Sequence, residues 1–194
     1  MIESIYPALI VALLCEAVLG AALIWSILFP KRRLWPLRRE STLSFLMVWL
    51  IPLAVFVCAF IAGIAEWSMM GWPVLLQWGV GVSLILLGTV IVWLAVFNIG
   101  LKATSGVEAE LKSEGVYRWS RNPQYVAYMS ILLGWAILSG SSAAWVIGVV
   151  GVALFAVAPF AEEPWMKGVY GEAYQAYKAR TPRFIGIPRD RGVS

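Results

Sequence analysis

The chain has 194 residues, of which 61% are hydrophobic and 13% are charged, and its net charge is +4. Soluble domains carry roughly a quarter charged residues, so this composition excludes an ordinary soluble domain and indicates an integral membrane protein. The sequence has no histidine, which removes the commonest metal ligand and the commonest acid–base group at neutral pH. We expect no metal site and no nucleic-acid partner.

Five apolar segments are predicted to cross the membrane, which makes the predicted fold all-α, with one membrane domain over residues 1–194. The spans cover residues 5–29, 43–64, 74–98, 125–138 and 143–160. A full crossing needs about 20 apolar residues, and the fourth segment is short for that length. Ser139-Gly140-Ser141-Ser142 separates the last two segments, and this turn composition predicts a helical hairpin.

All 15 lysines and arginines fall in three segments: the loop after the first span, residues 100–124 and the segment after residue 160. With five spans, these segments share one side of the membrane, which the positive-inside rule makes cytoplasmic. We therefore expect the N-terminus and the 65–73 turn outside, and the 100–124 and 161–188 segments inside, forming the catalytic region. Several tryptophans at span ends are interpreted as interfacial anchors, namely Trp35, Trp67, Trp72 and Trp119.

Glu16 interrupts the first apolar segment. A carboxyl group inside a span is costly and often functional. A buried packing role and a functional role are both open for this residue.

The stretch from Gly115 to Tyr125 is polar and aromatic, and it precedes the fourth span. Asn122 and Pro123 predict a helix start, with Asn122 as the N-cap and Pro123 in the first helical position. A helix N-terminus beside Arg121 suits a carboxylate or a phosphate, and Tyr117 and Tyr125 could stack on a base. The alternative is a cytoplasmic loop followed by a well-capped helix.

A second polar cluster, Glu162-Glu163, follows the last span. Pro164 predicts that the span ends at Glu163 and that a new helix begins at Pro164 or Trp165. The apolar and aromatic positions of that helix share one face, which could cover a site or lie on the membrane surface: Met166, Val169, Tyr170, Ala173, Tyr174 and Tyr177.

An arginine and a helix N-terminus in one segment, with paired carboxylates in the other, suit a zwitterionic amino-acid group. S-adenosylmethionine carries such a group together with a flat base. The sequence has no Gly-x-Gly-x-x-Gly after a strand, so the expected cofactor pocket is not a Rossmann site.

Over about residues 100–188, the sequence resembles the isoprenylcysteine carboxyl methyltransferase family and its phospholipid methyltransferase relatives. The matching motifs are Gly115-Val116-Tyr117, Arg121-Asn122-Pro123-Gln124-Tyr125, Glu162-Glu163, and Tyr170-Gly171-x-x-Tyr174-x-x-Tyr177. Asn122 stands where the family usually has histidine.

The resemblance implies a membrane enzyme that transfers methyl from S-adenosylmethionine to a lipid-linked acceptor, first of all the α-carboxylate of a prenylated cysteine. It implies a cofactor pocket closed by the C-terminal helix and lined by Leu111, Lys112, Gly115, Tyr117, Asn122, Pro123, Gln124, Tyr125 and Glu162. Arg121 and Glu163 are the predicted catalytic residues, with Arg121 binding a carboxylate and Glu163 orienting the acceptor. The alternatives are a phospholipid amine methyltransferase, an NADPH-dependent sterol-type reductase and a non-enzymatic scaffold.

Overall fold

The computed structural model describes residues 2–36, 46–104 and 111–188. Those residues form helices and no strand, which confirms the predicted all-α class. The α-helices are α1 (Ile2–Leu28), α2 (Ile51–Ala65), α3 (Val82–Thr104), α4 (Pro123–Ser139) and α5 (Ser142–Arg180). Single π-helical segments lead into α2 and α3, at Leu46–Leu50 and Leu75–Gly81, and short 3₁₀ turns lie at Pro30–Arg32 and Gly115–Arg118.

Within the described ranges, three helices are long and apolar enough to cross a membrane: Ile5–Leu28, Leu75–Asn98 and Ser142–Arg180. Ile51–Ala65 is apolar but shorter, and α4 has 17 residues. The membrane class is therefore confirmed. The count of five spans stays a prediction, and residues 43–45 of the second predicted span lie outside the described residues.

The turn between α4 and α5 forms where the sequence predicts it. Gly140 ends α4 with a left-handed φ of 57°, which costs a glycine little. The Ser141 hydroxyl then accepts a hydrogen bond from the backbone N–H of Ala144, at 3.0 Å, and caps α5. The predicted helical hairpin is confirmed.

The helix break predicted at Glu163 and Pro164 is wrong, because α5 continues through Pro164. Its non-helical residue is Gly171, with φ 53° and ψ −125°. A proline inside a helix removes one backbone hydrogen bond, but the two glutamates just before Pro164 are held by tertiary contacts, Glu162 with Trp35 and Glu163 with Arg121. From Ser142 to Tyr170 the helix is roughly 44 Å long, so it extends well beyond a hydrocarbon core of about 30 Å.

The helices surround a cavity on one side and pack closely on the other. α3 and α4 form the close pair: a Cβ atom at Gly88 would lie 2.7 Å from the carbonyl oxygen of Ala127. A Cβ atom at Gly81 would likewise lie 2.8 Å from the backbone nitrogen of Leu138, so these two glycines permit the close contact. α1 packs against α2 and α5, and α5 also packs against α4. These four helices leave a cavity between them, and the candidate functional site lies in that cavity.

Candidate active site

A cavity of about 420 Å³ lies between α1, α2, α4 and α5, within the usual range of roughly 300–1,000 Å³ for small-molecule sites. Its polar end carries Arg121, the first turn of α4 and Glu162. Apolar side chains of all four helices line the rest, among them Leu19, Phe56, Leu132, Leu154 and Phe155. The cavity therefore combines a charged end with an apolar interior.

Nine of the eleven predicted site residues lie on the wall of this cavity: Leu111, Lys112, Tyr117, Arg121, Asn122, Pro123, Gln124, Tyr125 and Glu162. The structure does not place Gly115 or Glu163 on that wall. Gly115 has a left-handed φ of 58°, and a Cβ atom there would lie 3.0 Å from the side-chain amide of Asn98. Its contribution is a backbone turn, which any other residue would strain. The functional roles of the eleven residues stay predictions.

Glu162 is oriented by two donors on its Oε1 atom, the indole N–H of Trp35 and the hydroxyl of Tyr125. Trp35 is held in turn by Ser26, whose buried hydroxyl accepts from the backbone N–H groups of Leu34 and Trp35, at 3.0 and 2.9 Å. The interpretation of Trp35 as an interfacial anchor missed this role. Sequence reasoning had no signal for it, because Trp35 and Glu162 are 127 residues apart.

Glu163 lies in an ion-pair cluster beside the cavity. Its carboxylate contacts the side-chain nitrogens of Arg121, Lys178 and Arg183, at 2.8, 2.7 and 2.8 Å. The hydrogen bond to Glu163 raises the pKa of Arg183 above its ordinary value. Three cations on one carboxylate leave this cluster with a net positive charge.

Arg121 belongs both to this cluster and to the cavity wall. Its Nε donates to the carbonyl of Thr181 at 3.0 Å, and its backbone N–H donates to the carbonyl of Pro182 at 2.9 Å. Arg121 therefore fastens the residues after α5 to the start of α4. Its guanidinium is held in one place, as a binding group for an anion requires.

The start of α4 follows the prediction in position but not in its cap. Pro123 is the first helical residue, while the Asn122 side chain makes no capping bond. Its Nδ2 instead donates to the carbonyl of Arg183 at 2.9 Å. The predicted side-chain cap is wrong: the bond to Arg183 orients the amide, and its oxygen accepts no hydrogen bond from the first turn of α4. The first-turn N–H groups of α4, which no intrahelical carbonyl accepts, thus receive no cap from Asn122, and this turn borders the polar end of the cavity.

The predicted tyrosine face of the C-terminal helix packs inside the protein. Tyr174 and Tyr177 are buried against Tyr117 and Ala95, and the Tyr177 hydroxyl donates to the carbonyl of Tyr117 at 2.7 Å. Burial, followed by the negative charge of Glu162, raises the pKa of the Tyr117 phenol. Tyr117 therefore stays protonated at neutral pH and cannot act there as a base.

The apolar helices and the comparison with known families together define a membrane methyltransferase. A family model described as phospholipid methyltransferase matches residues 76–173, which is half of the chain. The protein belongs to the phospholipid methyltransferase family. This family is part of the isoprenylcysteine carboxyl methyltransferase-like superfamily, so the resemblance seen in the sequence is confirmed at that level. No curated protein and no solved structure matches the chain.

Proposed function

We propose that the protein transfers a methyl group from S-adenosylmethionine to a lipid-linked acceptor at the cytoplasmic face of the membrane. The observation that carries the proposal is the cavity itself. It places Arg121 and Glu162 at one end and apolar side chains of four helices around the rest. A water-soluble cofactor and an apolar acceptor need those two environments side by side.

The residues at the polar end fit the amino-acid part of the cofactor. Arg121 and the first turn of α4 offer a positively charged binding position for its carboxylate, and Glu162 offers an anion for its ammonium group. Tyr117 and Tyr125 offer flat rings beside them. When bound, the cofactor supplies an electrophilic methyl group on a sulfonium. The protein supplies position and exclusion of water, which together lower the barrier of such a transfer.

The first candidate acceptor is the α-carboxylate of a prenylated cysteine. A carboxylate is already deprotonated at neutral pH, so its attack on the methyl group needs no general base. The sequence has no histidine, and the raised pKa of Tyr117 removes that phenol as a base. A carboxylate acceptor therefore requires no residue that accepts a proton.

The second candidate acceptor is the amine of a phospholipid headgroup, which the description of the matching family favours. An amine must lose a proton around the transfer step, and an acceptor for that proton has to lie close by. Glu162 is the carboxylate at the polar end of the cavity. In this reaction it would serve the amine as well as the cofactor.

The proposal is tested in two stages on detergent-purified protein. Calorimetric titration should show saturable binding of S-adenosylhomocysteine and none of NADPH. Methyl transfer is then measured from labelled S-adenosylmethionine to a farnesylcysteine analogue and, in parallel, to phosphatidylethanolamine. The acceptor that becomes labelled identifies the substrate class. Folded protein that binds NADPH but not S-adenosylhomocysteine would refute methyl transfer.

The cytoplasmic location is part of the proposal and has its own test. A reporter fused after Ser194 should report the cytoplasm, because the basic segments gather on that side. A reporter inserted in the 65–73 turn should report the opposite side. If both reporters read the same side, the count of five spans is wrong.

A further inference from the structure

Glu16 is a buried carboxyl group at the apolar end of the cavity. It lies near the middle of α1, is 1% exposed and borders the cavity. Neither of its oxygens has a hydrogen-bond partner within the described part of the chain. Leaving a polar group without a partner in an apolar environment costs on the order of 1–3 kcal/mol. A ligand in the cavity could supply the missing partner.

The surroundings of Glu16 leave room for ligand atoms. A Cβ atom at Gly151 would lie 3.2 Å from Oε1 of Glu16 and 2.7 Å from Cδ1 of Leu132. The missing side chain of Gly151 thus widens the cavity directly beside the carboxyl group. Along α5, Gly151 is roughly 16 Å from Glu162 at 1.5 Å per residue. Glu16 is therefore far from the polar end of the cavity.

We propose that Glu16 is a second polar binding position, which recognises a primary amine at the buried end of an elongated apolar ligand. Both oxygens lack partners and both accept in the carboxylate form, so the group that matches this form should donate at least two hydrogen bonds, as an amine does and a hydroxyl does not. The wall between Glu16 and the polar end is apolar, with Leu19, Leu23 and Leu154 among its residues. A plain hydrocarbon end leaves the carboxyl group unpaired and is disfavoured.

The test compares three probes of equal chain length: dodecylamine, dodecanol and dodecane. Protein in phosphatidylcholine nanodiscs is titrated with each probe, and binding is read from the shift of the melting temperature. The wild type and the variants share one bilayer, so partition into lipid cancels in the comparison. The preference for dodecylamine over dodecanol should be about tenfold larger in the wild type than in Glu16→Leu, the size expected for hydrogen bonds to a charged group.

Three variants separate recognition from packing. Glu16→Leu is the reference, in which the apparent preference among the probes reflects only their partition into lipid. Glu16→Gln keeps the shape and should lose the preference for dodecylamine over dodecanol. Gly151→Ala keeps the carboxyl group but fills the space beside it, and it should weaken dodecylamine binding about tenfold. Gly151→Ala also keeps the proposal testable if Glu16→Leu does not fold.

The melting temperature of ligand-free protein gives an independent readout. Glu16→Leu removes a buried group without a partner, so the melting temperature should rise or stay unchanged. A marked fall in both Glu16 variants would show a structural partner and overturn the proposal, as would unchanged dodecylamine selectivity in Glu16→Leu. Titration with S-adenosylhomocysteine checks the fold of each variant. If the wild type shows amine selectivity but no S-adenosylhomocysteine binding, the proposed methyl transfer fails and this inference stands.

Discussion

The N-terminal end and the middle of α5 both gather carboxyl groups, and the two regions differ in how many hydrogen-bond or ionic partners those groups have. At the N-terminal end, Oε2 of Glu66 accepts from the hydroxyls of Ser141 and Ser142 and from the backbone N–H of Ala143, at 2.7, 3.0 and 2.9 Å. A carboxylate at a helix N-terminus also interacts favourably with the helix dipole. Glu66 therefore fastens the end of α2 to the start of α5.

In the middle of α5, the number of partners differs from one carboxyl group to the next. Glu163 is paired with three cations, while Glu162 has two donors on one oxygen and borders the cavity. Glu16, facing α5 from α1, has none within the described residues. The carboxyl groups with several hydrogen-bond or ionic partners therefore fasten segments together. Those with fewer partners border the cavity, where a ligand can bind. Substitution of a carboxyl group with many partners should mainly lower stability, and substitution of one with few partners should mainly change binding.

Glu163→Gln should have the largest effect on stability. It leaves Arg121, whose side chain is 8% exposed, without its ionic partner, and such a loss costs about 3 kcal/mol. Thermal or denaturant unfolding in detergent measures the change. Lys178→Ala is the control, because the Lys178 side chain is 49% exposed and its pair should contribute about 1 kcal/mol or less.

The same variant tests the predicted catalytic role of Glu163. If Glu163 orients the acceptor, turnover should fall even under conditions in which the variant remains folded. Loss of turnover with wild-type stability would contradict the structural assignment. Loss of stability with normal turnover would instead contradict the catalytic one.

Glu162→Gln should act mainly on binding. The substitution keeps the shape and removes the charge that faces the cavity, so the affinity for S-adenosylhomocysteine should fall by about 1.5–3 kcal/mol. Isothermal titration measures it. Trp35→Phe is the matched control, since it removes one donor to Glu162 but keeps the charge, and it should cost less affinity. Equal affinity in Glu162→Gln and wild type would place the ammonium site elsewhere.

Local patterns predict the parts of this structure that depend on neighbouring residues. Pro123 marks the start of α4 because its fixed φ suits the first helical position, and Gly140 marks the turn because it adopts a left-handed φ. The spacing of Tyr174 and Tyr177 predicts that both lie on one face of a helix, since residues three apart share one side of it. These features need no knowledge of distant segments.

The features that sequence reasoning missed depend on contacts between distant segments. Asn122 donates to the carbonyl of Arg183 instead of capping its own helix. Glu162 contacts Trp35 and Glu163 contacts Arg121, and these contacts hold α5 just before Pro164. Propensity is a weak guide where tertiary contacts of this strength compete with it. The missing partners of Glu16 likewise become visible only when all surrounding helices are in place.

Ser141→Ala should have the smallest effect and should leave binding at the middle of α5 unchanged. It removes the cap on the N–H of Ala144 and one donor to Glu66, so we expect a loss of about 1 kcal/mol of stability. Ser142→Ala, at an exposed position, is the control and should cost less. The affinity for S-adenosylhomocysteine should match wild type in both variants, because this end of α5 lies far from the polar end of the cavity. A change in that affinity would show that the start and the middle of α5 are coupled, and would remove the distinction between a structural region and a binding region.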